Sequence, residues 1–298
     1  MLGRGPASCP RAAGRTTGSV RPPSMRYNHP MARQYHLQLD DGEIAPTVLL
    51  PGDPGRVEIV AALWDEAHHV ATNREYVTWT GNYRGVPISC TSTGIGAPST
   101  SIAVEELARV GATTFIRIGT CGTFLDRVQV GDMAIFDSAV RLDGASRAYA
   151  PIEFPAVASH DVVTACIRAG TELGYPYHVG TTRSADTFYA RHPRPGSSFA
   201  DYWQSDWREH FEDLKRMNVV GAEMEASVIF VLARVWGLRA GGVSVVLDNV
   251  LSVSGDADGF DPGEQLEHGA GHIERLARMG CEAVRILAEI DAGSPGRS

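Results

Sequence analysis

An α/β fold, with a largely parallel sheet covered by helices on both faces, is predicted by two observations. From Tyr35 to about residue 290, short apolar β-branched runs alternate with longer segments of helical pattern, the alternation that builds a buried sheet. No composition break or linker interrupts that stretch, so a single domain over residues 34–298 is expected, and a chain of 298 residues can bury a substantial core.

In chain order, Thr47–Leu50 reads as the first strand and Pro54–Trp64 as a helix with proline in its first turn. Val86–Thr91 is the next strand, followed by a second proline-started helix, Pro98–Val110. Thr113–Ile118 and Met133–Val140 read as strands, Ser159–Leu173 as a helix and Tyr177–Thr182 as a strand. The helix Ala222–Trp236, the strand Gly241–Leu247 and the helix Glu264–Ile290 complete the series.

Residues 1–33 stand apart, with six arginines (Arg4, Arg11, Arg15, Arg21, Arg26, Arg33), no acidic residue, and Pro and Gly throughout. That composition predicts a disordered tail. Organelle-targeting leaders share the Arg-rich, acid-poor character, but here Pro and Gly interrupt any amphipathic helix, and Met25 and Met31 offer alternative starts. The stretch reads as a dispensable leader.

With 27 basic against 35 acidic residues the chain carries a formal charge of -8, and the tail arginines mask a more acidic body. This argues against a general nucleic-acid binder, so a small anionic ligand would need a local basic pocket. Five cysteines (Cys9, Cys90, Cys121, Cys166, Cys281) form no C-x-x-C pair, which points away from a disulfide framework or zinc site and toward a reducing cytoplasm. No run approaches the roughly 20 apolar residues of a membrane span.

Three Gly-containing segments follow predicted strands: Pro51-Gly52-Asp53-Pro54-Gly55-Arg56, Thr93-Gly94-Ile95-Gly96-Ala97-Pro98 and Arg117-Ile118-Gly119-Thr120-Cys121-Gly122. Turns at the carboxyl ends of strands hold ligands in α/β sheets, and glycine lets backbone N–H groups approach an oxyanion. None is a dinucleotide fingerprint or a P-loop. Arg117 lies inside an apolar run, where an unpaired charge is costly, so an anionic partner is expected. Gly221-Ala222-Glu223-Met224-Glu225-Ala226 opens a helix with two carboxylates, one of which could accept hydrogen bonds from vicinal sugar hydroxyls.

Taken together, His36-Leu37, Pro51-Gly52-Asp53-Pro54, Asn73-Arg74-Glu75, Thr93-Gly94-Ile95-Gly96, Arg117-Ile118-Gly119-Thr120, Arg141-Leu142-Asp143-Gly144-Ala145, Asp186-Thr187-Phe188-Tyr189 and Glu223-Met224-Glu225 resemble, in order and spacing, the motifs of the uridine phosphorylase family within the nucleoside phosphorylase superfamily. The resemblance implies a three-layer α/β/α fold whose mixed, largely parallel sheet forms a distorted central β-barrel. It also implies reversible phosphorolysis of uridine to uracil and ribose 1-phosphate, with phosphate as co-substrate and no required cofactor.

The resemblance assigns roles residue by residue. Gly52, Arg56, Arg117, Gly119 and Thr120 would bind phosphate, with Arg74 from a neighbouring subunit. Met224 and Glu225 would hold the ribose, with Glu223 beside them and the neighbour's His36 at the 5′-hydroxyl. Phe188 would pack on the base. Glu75, Ile95 and Ser99 match positions that hold a monovalent cation, such as potassium, between subunits, and the expected assembly is a homohexamer built as a trimer of dimers.

The chain departs from the family at the base. In Phe188-Tyr189-Ala190-Arg191-His192-Pro193-Arg194, the usual glutamine and arginine fall either on His192 and Arg194 or, in another register, leave Arg191 in the glutamine position. An Asn-Arg pair becomes Asn249-Val250. Asp248 aligns with the general acid of purine phosphorylases, so purine or modified-nucleoside phosphorolysis is the alternative; equally, Asp248 could only cap a strand or turn. A hydrolytic nucleosidase would not need Arg56, Arg74 and Arg117 at one site, and a non-catalytic nucleoside-binding protein would more often have lost them or Glu225. His68 and His69 read as surface residues.

Overall fold

The computed structural model describes residues 33–190, 198–251 and 262–293, the stretch 262–270 by its backbone alone. The expected tail, apart from Arg33, lies outside the described residues.

After β1 (Thr47–Leu50) and α1 (Gly55–Ala61), the chain makes a meander of β2 (Glu66–Asn73), β3 (Tyr76–Tyr83) and β4 (Val86–Thr91). There follow α2 (Ala97–Arg109), β5 (Thr114–Thr123), β6 (Met133–Leu142), the short α3 (Ala145–Tyr149) and β7 (Ala156–Val157), and α4 (His160–Leu173). The last part comprises β8 (Tyr177–Ala185), α5 (Asp206–Arg216), β9 (Gly221–Glu223), α6 (Ala226–Trp236), β10 (Arg239–Asn249) and α7 (Pro262–Gly293).

The sheet runs β10-β6-β8-β9-β5-β1-β4-β3-β2, and a further β10–β5 pairing closes five of its strands into a ring. That ring is the expected barrel. Among the described residues five strand pairings are parallel and five antiparallel, so the sheet is more evenly mixed than strand–helix alternation suggests. The meander and the short β7 and β9 supply most of the antiparallel pairs, and none of these connections needs a crossover helix.

Helices cover two faces. On one, α2 and α6 bury Val104, Leu107 and Val228–Ala233 against β1, β5 and β6; on the other, α1, α4 and α7 bury Val57, Val162, Cys166, Leu276, Met279, Ala283 and Leu287. The α6 sequence ASVIFVLARVW is apolar nearly all round and is buried accordingly. It stops at Gly237, whose φ of 70° is the left-handed stop that glycine takes without a Cβ penalty. A small third cluster seats α5 through Phe211 and Leu214 against Phe124 and Val250. Among the described residues no helix is long and apolar enough to cross a membrane.

Candidate active site

A cleft of about 850 Å³ opens beyond the carboxyl ends of β1 and β4 and runs along β5, β9 and β10. Gly52, Arg56, Arg117, Thr120, Glu223, Met224, Glu225, Phe188 and Asp248 all line it, as do Glu75, Ile95 and Ser99.

Arg117 is its centre. Only 4% exposed, it sets Nη2 2.5 Å from Glu225 Oε2 and Nε 2.7 Å from Glu223 Oε2. The second contact lacks the alignment of a hydrogen bond, and Nη1 has no partner among the described residues. Burial pulls the guanidinium's pKa down, but the two carboxylates outweigh it and the net direction is upward. The anionic partner expected for Arg117 is thus built into the chain, while one buried donor stays available. Arg56 lies near enough to feel this charge: burial lowers its pKa, Asp53 opposes the shift and Arg117 adds to it. The Glu225 carboxylate, which also faces Arg117, offsets part of the repulsion between the two guanidiniums.

The two glutamates do not sit in a helix's first turn, as the sequence suggests. Glu223 ends β9, and Glu225 is the residue before α6. The reason is the Glu223 carboxylate itself. Its Oε2 accepts the backbone N–H groups of Glu225 and Ala226, each at 2.8 Å, and its Oε1 accepts the Ser184 hydroxyl. A side chain that satisfies the orphan donors of a helix start does the work of an N-cap, so the helix begins after it. Glu225 is less occupied: Oε1 accepts the Gly96 N–H at 2.6 Å and Oε2 faces Arg117. Burial pushes its pKa up, Arg117 pulls it down and Glu223 adds to the rise, leaving it above the ordinary carboxylate range.

The segment Arg117–Gly122, expected as a turn, is strand throughout. After β1 leaves at Arg117, β5 keeps its backbone bonds to β10 and then to β9. Gly119 does not line the cleft but stands behind it. A Cβ there would meet Arg117 Nη2 at 2.8 Å, so the arginine lies flat on its own strand because Gly119 has no side chain. Gly119→Ala is expected to cost about 1–3 kcal/mol, the scale of overpacking a filled core, read as a lower urea midpoint. The other two segments are turns that brace each other: the Gly94 N–H donates to the Gly52 carbonyl at 2.9 Å. Gly94 holds φ at 70°, and Glu75 Cγ and Ser99 Oγ both pass over it.

At the far end, Arg183, Ala222, Gly122 and Asp248 form one row across β8, β9, β5 and β10. Arg183 and Asp248 both line the cleft, with Thr187, Phe188, Phe211 and Val250. Asp248 follows a register shift in β10 and is half-buried, less enclosed than its apolar run suggests. Arg183 was not anticipated: Tyr177–Thr182 ends one residue short of it, whereas β8 continues to Ala185. An arginine among small residues at a strand end was the available signal. Arg191, His192 and Arg194 lie outside the described residues.

His36 and Arg74 are not in this chain's cleft. The His36 ring donates its Nδ1–H to the Glu106 carboxylate at 2.7 Å, and Asn73 Nδ2 donates to the His36 carbonyl at 2.8 Å. Arg74 follows Asn73, exposed, with φ at 55°. Both occupy one corner of the surface. The motif Arg141–Ala145 is structural: Arg141 donates to the carbonyls of Ser146 and Ala150, each at 2.9 Å, and Asp143 accepts the Ser227 hydroxyl of α6. His68 and His69 are exposed.

Against known proteins, the model of a family described as the phosphorylase superfamily matches residues 46–285. Uridine phosphorylase of Thermococcus kodakarensis is 46% identical over 87% of this chain and 88% of its own length. Guanosine phosphorylase of Halorubrum lacusprofundi is 39% identical over 86% of this chain and all of its own length. Uridine phosphorylase of Escherichia coli is 43% identical over 72% of this chain and 85% of its own.

Proposed function

This chain belongs to the phosphorylase superfamily, and we propose that its cleft splits uridine with phosphate into uracil and ribose 1-phosphate. It is a phosphate-dependent pentosyltransferase and uses no organic cofactor. The observation that carries the reading is the buried Arg117–Glu225 pair, in a cleft also lined by Arg56, with a guanidinium donor that has no partner among the described residues.

Phosphate is held by Arg117, Arg56, Thr120 and the Gly52 turn, with Gly119 keeping Arg117 flat. Inside one chain, however, Glu223 and Glu225 formally balance Arg56 and Arg117, so a bound anion needs another cation. Arg74 of a neighbouring subunit supplies it, and the neighbour's His36, with Nδ1 held by Glu106, meets the 5′-hydroxyl. Glu225 and Met224 hold the ribose; Glu223, its oxygens already taken, keeps Glu225 and Arg117 in place. Phosphate then attacks C1′ as the glycosidic bond lengthens and the ribose gains oxocarbenium character, with positioning and charge stabilisation as the main contributions. No covalent enzyme intermediate is needed. Phe188 packs on the base, together with Arg191, His192 or Arg194.

The assembly that completes such a site is a homohexamer, a trimer of dimers. Glu75, Ile95 and Ser99 fit a monovalent cation between subunits: their carboxylate, carbonyl and hydroxyl are hard oxygen donors grouped around Gly94. We place the activity in the cytoplasm, in nucleoside catabolism or pyrimidine salvage. Cleavage of uridine is expected to stop in phosphate-free buffer and to resume in millimolar phosphate with ribose 1-phosphate as product; equal rates in both would sink the phosphorylase reading.

A second reading, guanosine or another purine with Asp248 as general acid on N7, is supported by Asp248 lining the cleft and by the guanosine phosphorylase relative. Under the uridine reading Asp248→Asn barely changes uridine cleavage. Under the purine reading it removes a general acid, a loss of about 10²–10⁴-fold in kcat/KM. Rates for uridine, inosine and guanosine on both proteins separate the two.

A further inference from the structure

On the reading that this cleft holds a nucleoside, we propose that Arg183 reads the base: its guanidinium donates to the carbonyl oxygen at the 4-position of uracil or the 6-position of hypoxanthine and guanine, and so selects these oxo bases over those with an amino group there (cytosine, adenine). Four observations meet at this residue. It lies at the Gly122 level of the barrel through Ala222, three residues beyond the Gly119 position against which the Arg117 guanidinium rests. Three residues of strand rise roughly 10 Å, so the two arginines line the same cleft at different levels of the barrel. The side chain is only 6% exposed and yet lines the cleft, so what it meets there it meets in low dielectric, where a charged donor is strongest.

Its aim is also fixed. The guanidinium sits 5.4 Å from the centre of the Phe211 ring, and that ring, 3% exposed, packs edge-on against Phe124 at 5.3 Å. A cation stacked on an immobile ring is a preorganised donor. The same cleft is lined by Thr187, Phe188, Leu247, Val250 and Asp248. A base leaving as an anion gathers charge on its carbonyl oxygens, so a donor there binds the transition state more tightly than the substrate. An exocyclic amino group offers the same guanidinium only another donor, and the contact is lost.

The test compares wild type, Arg183→Met and Arg183→Lys with uridine, cytidine, inosine and adenosine, the amino nucleosides being assayed also as competitive inhibitors so that preference is measured even where cleavage is undetectable. Arg183→Met is expected to lower kcat/KM for the preferred oxo nucleoside at least about 30-fold, the scale of one lost hydrogen bond to a charged group. The oxo-over-amino preference narrows with it, KM for phosphate stays unchanged, and Arg183→Lys keeps part of the preference. A loss shared equally by oxo and amino nucleosides, a matching rise in KM for phosphate, or no loss would overturn the proposal. Should Arg183→Met not fold, the same comparison is made on Arg183→Lys. If wild type prefers inosine, the uridine assignment falls and Arg183 is judged on the inosine and adenosine pair.

Discussion

Arg117→Ala is expected to remove at least about 3 kcal/mol of transition-state stabilisation, the scale of one preorganised oxyanion donor. The loss should appear in kcat/KM for phosphate and for the nucleoside together, because on the proposed mechanism the guanidinium that meets the attacking anion is the one paired with Glu225. The substitution also leaves Glu223 and Glu225, 5% and 4% exposed, without their shared cation, and stripping one member from a buried ion group costs about 3–5 kcal/mol of stability. Activity is therefore measured well below the variant's Tm. A folded Arg117→Ala protein with wild-type kcat/KM would mean that the anion binds elsewhere.

Chains carrying His36→Ala and chains carrying Glu225→Ala are each expected to be nearly inactive alone, yet to recover activity when mixed under subunit exchange. His36 lies outside its own chain's cleft, whereas Glu225 lies inside it, so under the proposed sharing of His36 between subunits a hybrid pair assembles one site from two intact residues and one from two missing ones. Random pairing in a two-fold dimer then restores about a quarter of the wild-type activity. Proven hybrids with no recovery would place both residues in the same chain's site, or His36 in none.

The barrel strands β5 and β10 are legible because they are apolar runs, as in TFIRI and SVVL, and mostly buried, whereas the three-residue β9 is too short to show a strand pattern. Nor are β2 and β3 legible. In EAHHVATN most residues are exposed, and a register shift between His69 and Ala71 breaks the alternation. Glu223 misleads for a different reason: a carboxylate beside an apolar helix looks like part of its first turn, and only the donors that meet it show that it caps from a strand. Arg56, Arg117 and Glu225 are readable as chemistry, because charge beside glycine or inside an apolar run calls for a partner. Arg183 is not, since its significance arises from pairing with β9, which lies about forty residues on by loop and helix rather than by local pattern.

The closed ring of strands also bears on how the protein comes to exist. β5 meets β10 only when distant parts of the chain arrive together, as in the Arg239–Thr114 hydrogen bond across 125 positions. Contacts of such separation are closed slowly, after the loop entropy has been overcome. The cleft is made of these same strands, so it exists only once the ring has shut, and a phosphate ion finds no binding place on a half-folded chain. An ion that binds only the finished state slows unfolding and leaves the folding rate alone. Phosphate bound at the proposed site would thus brake the loss of the fold without guiding its formation.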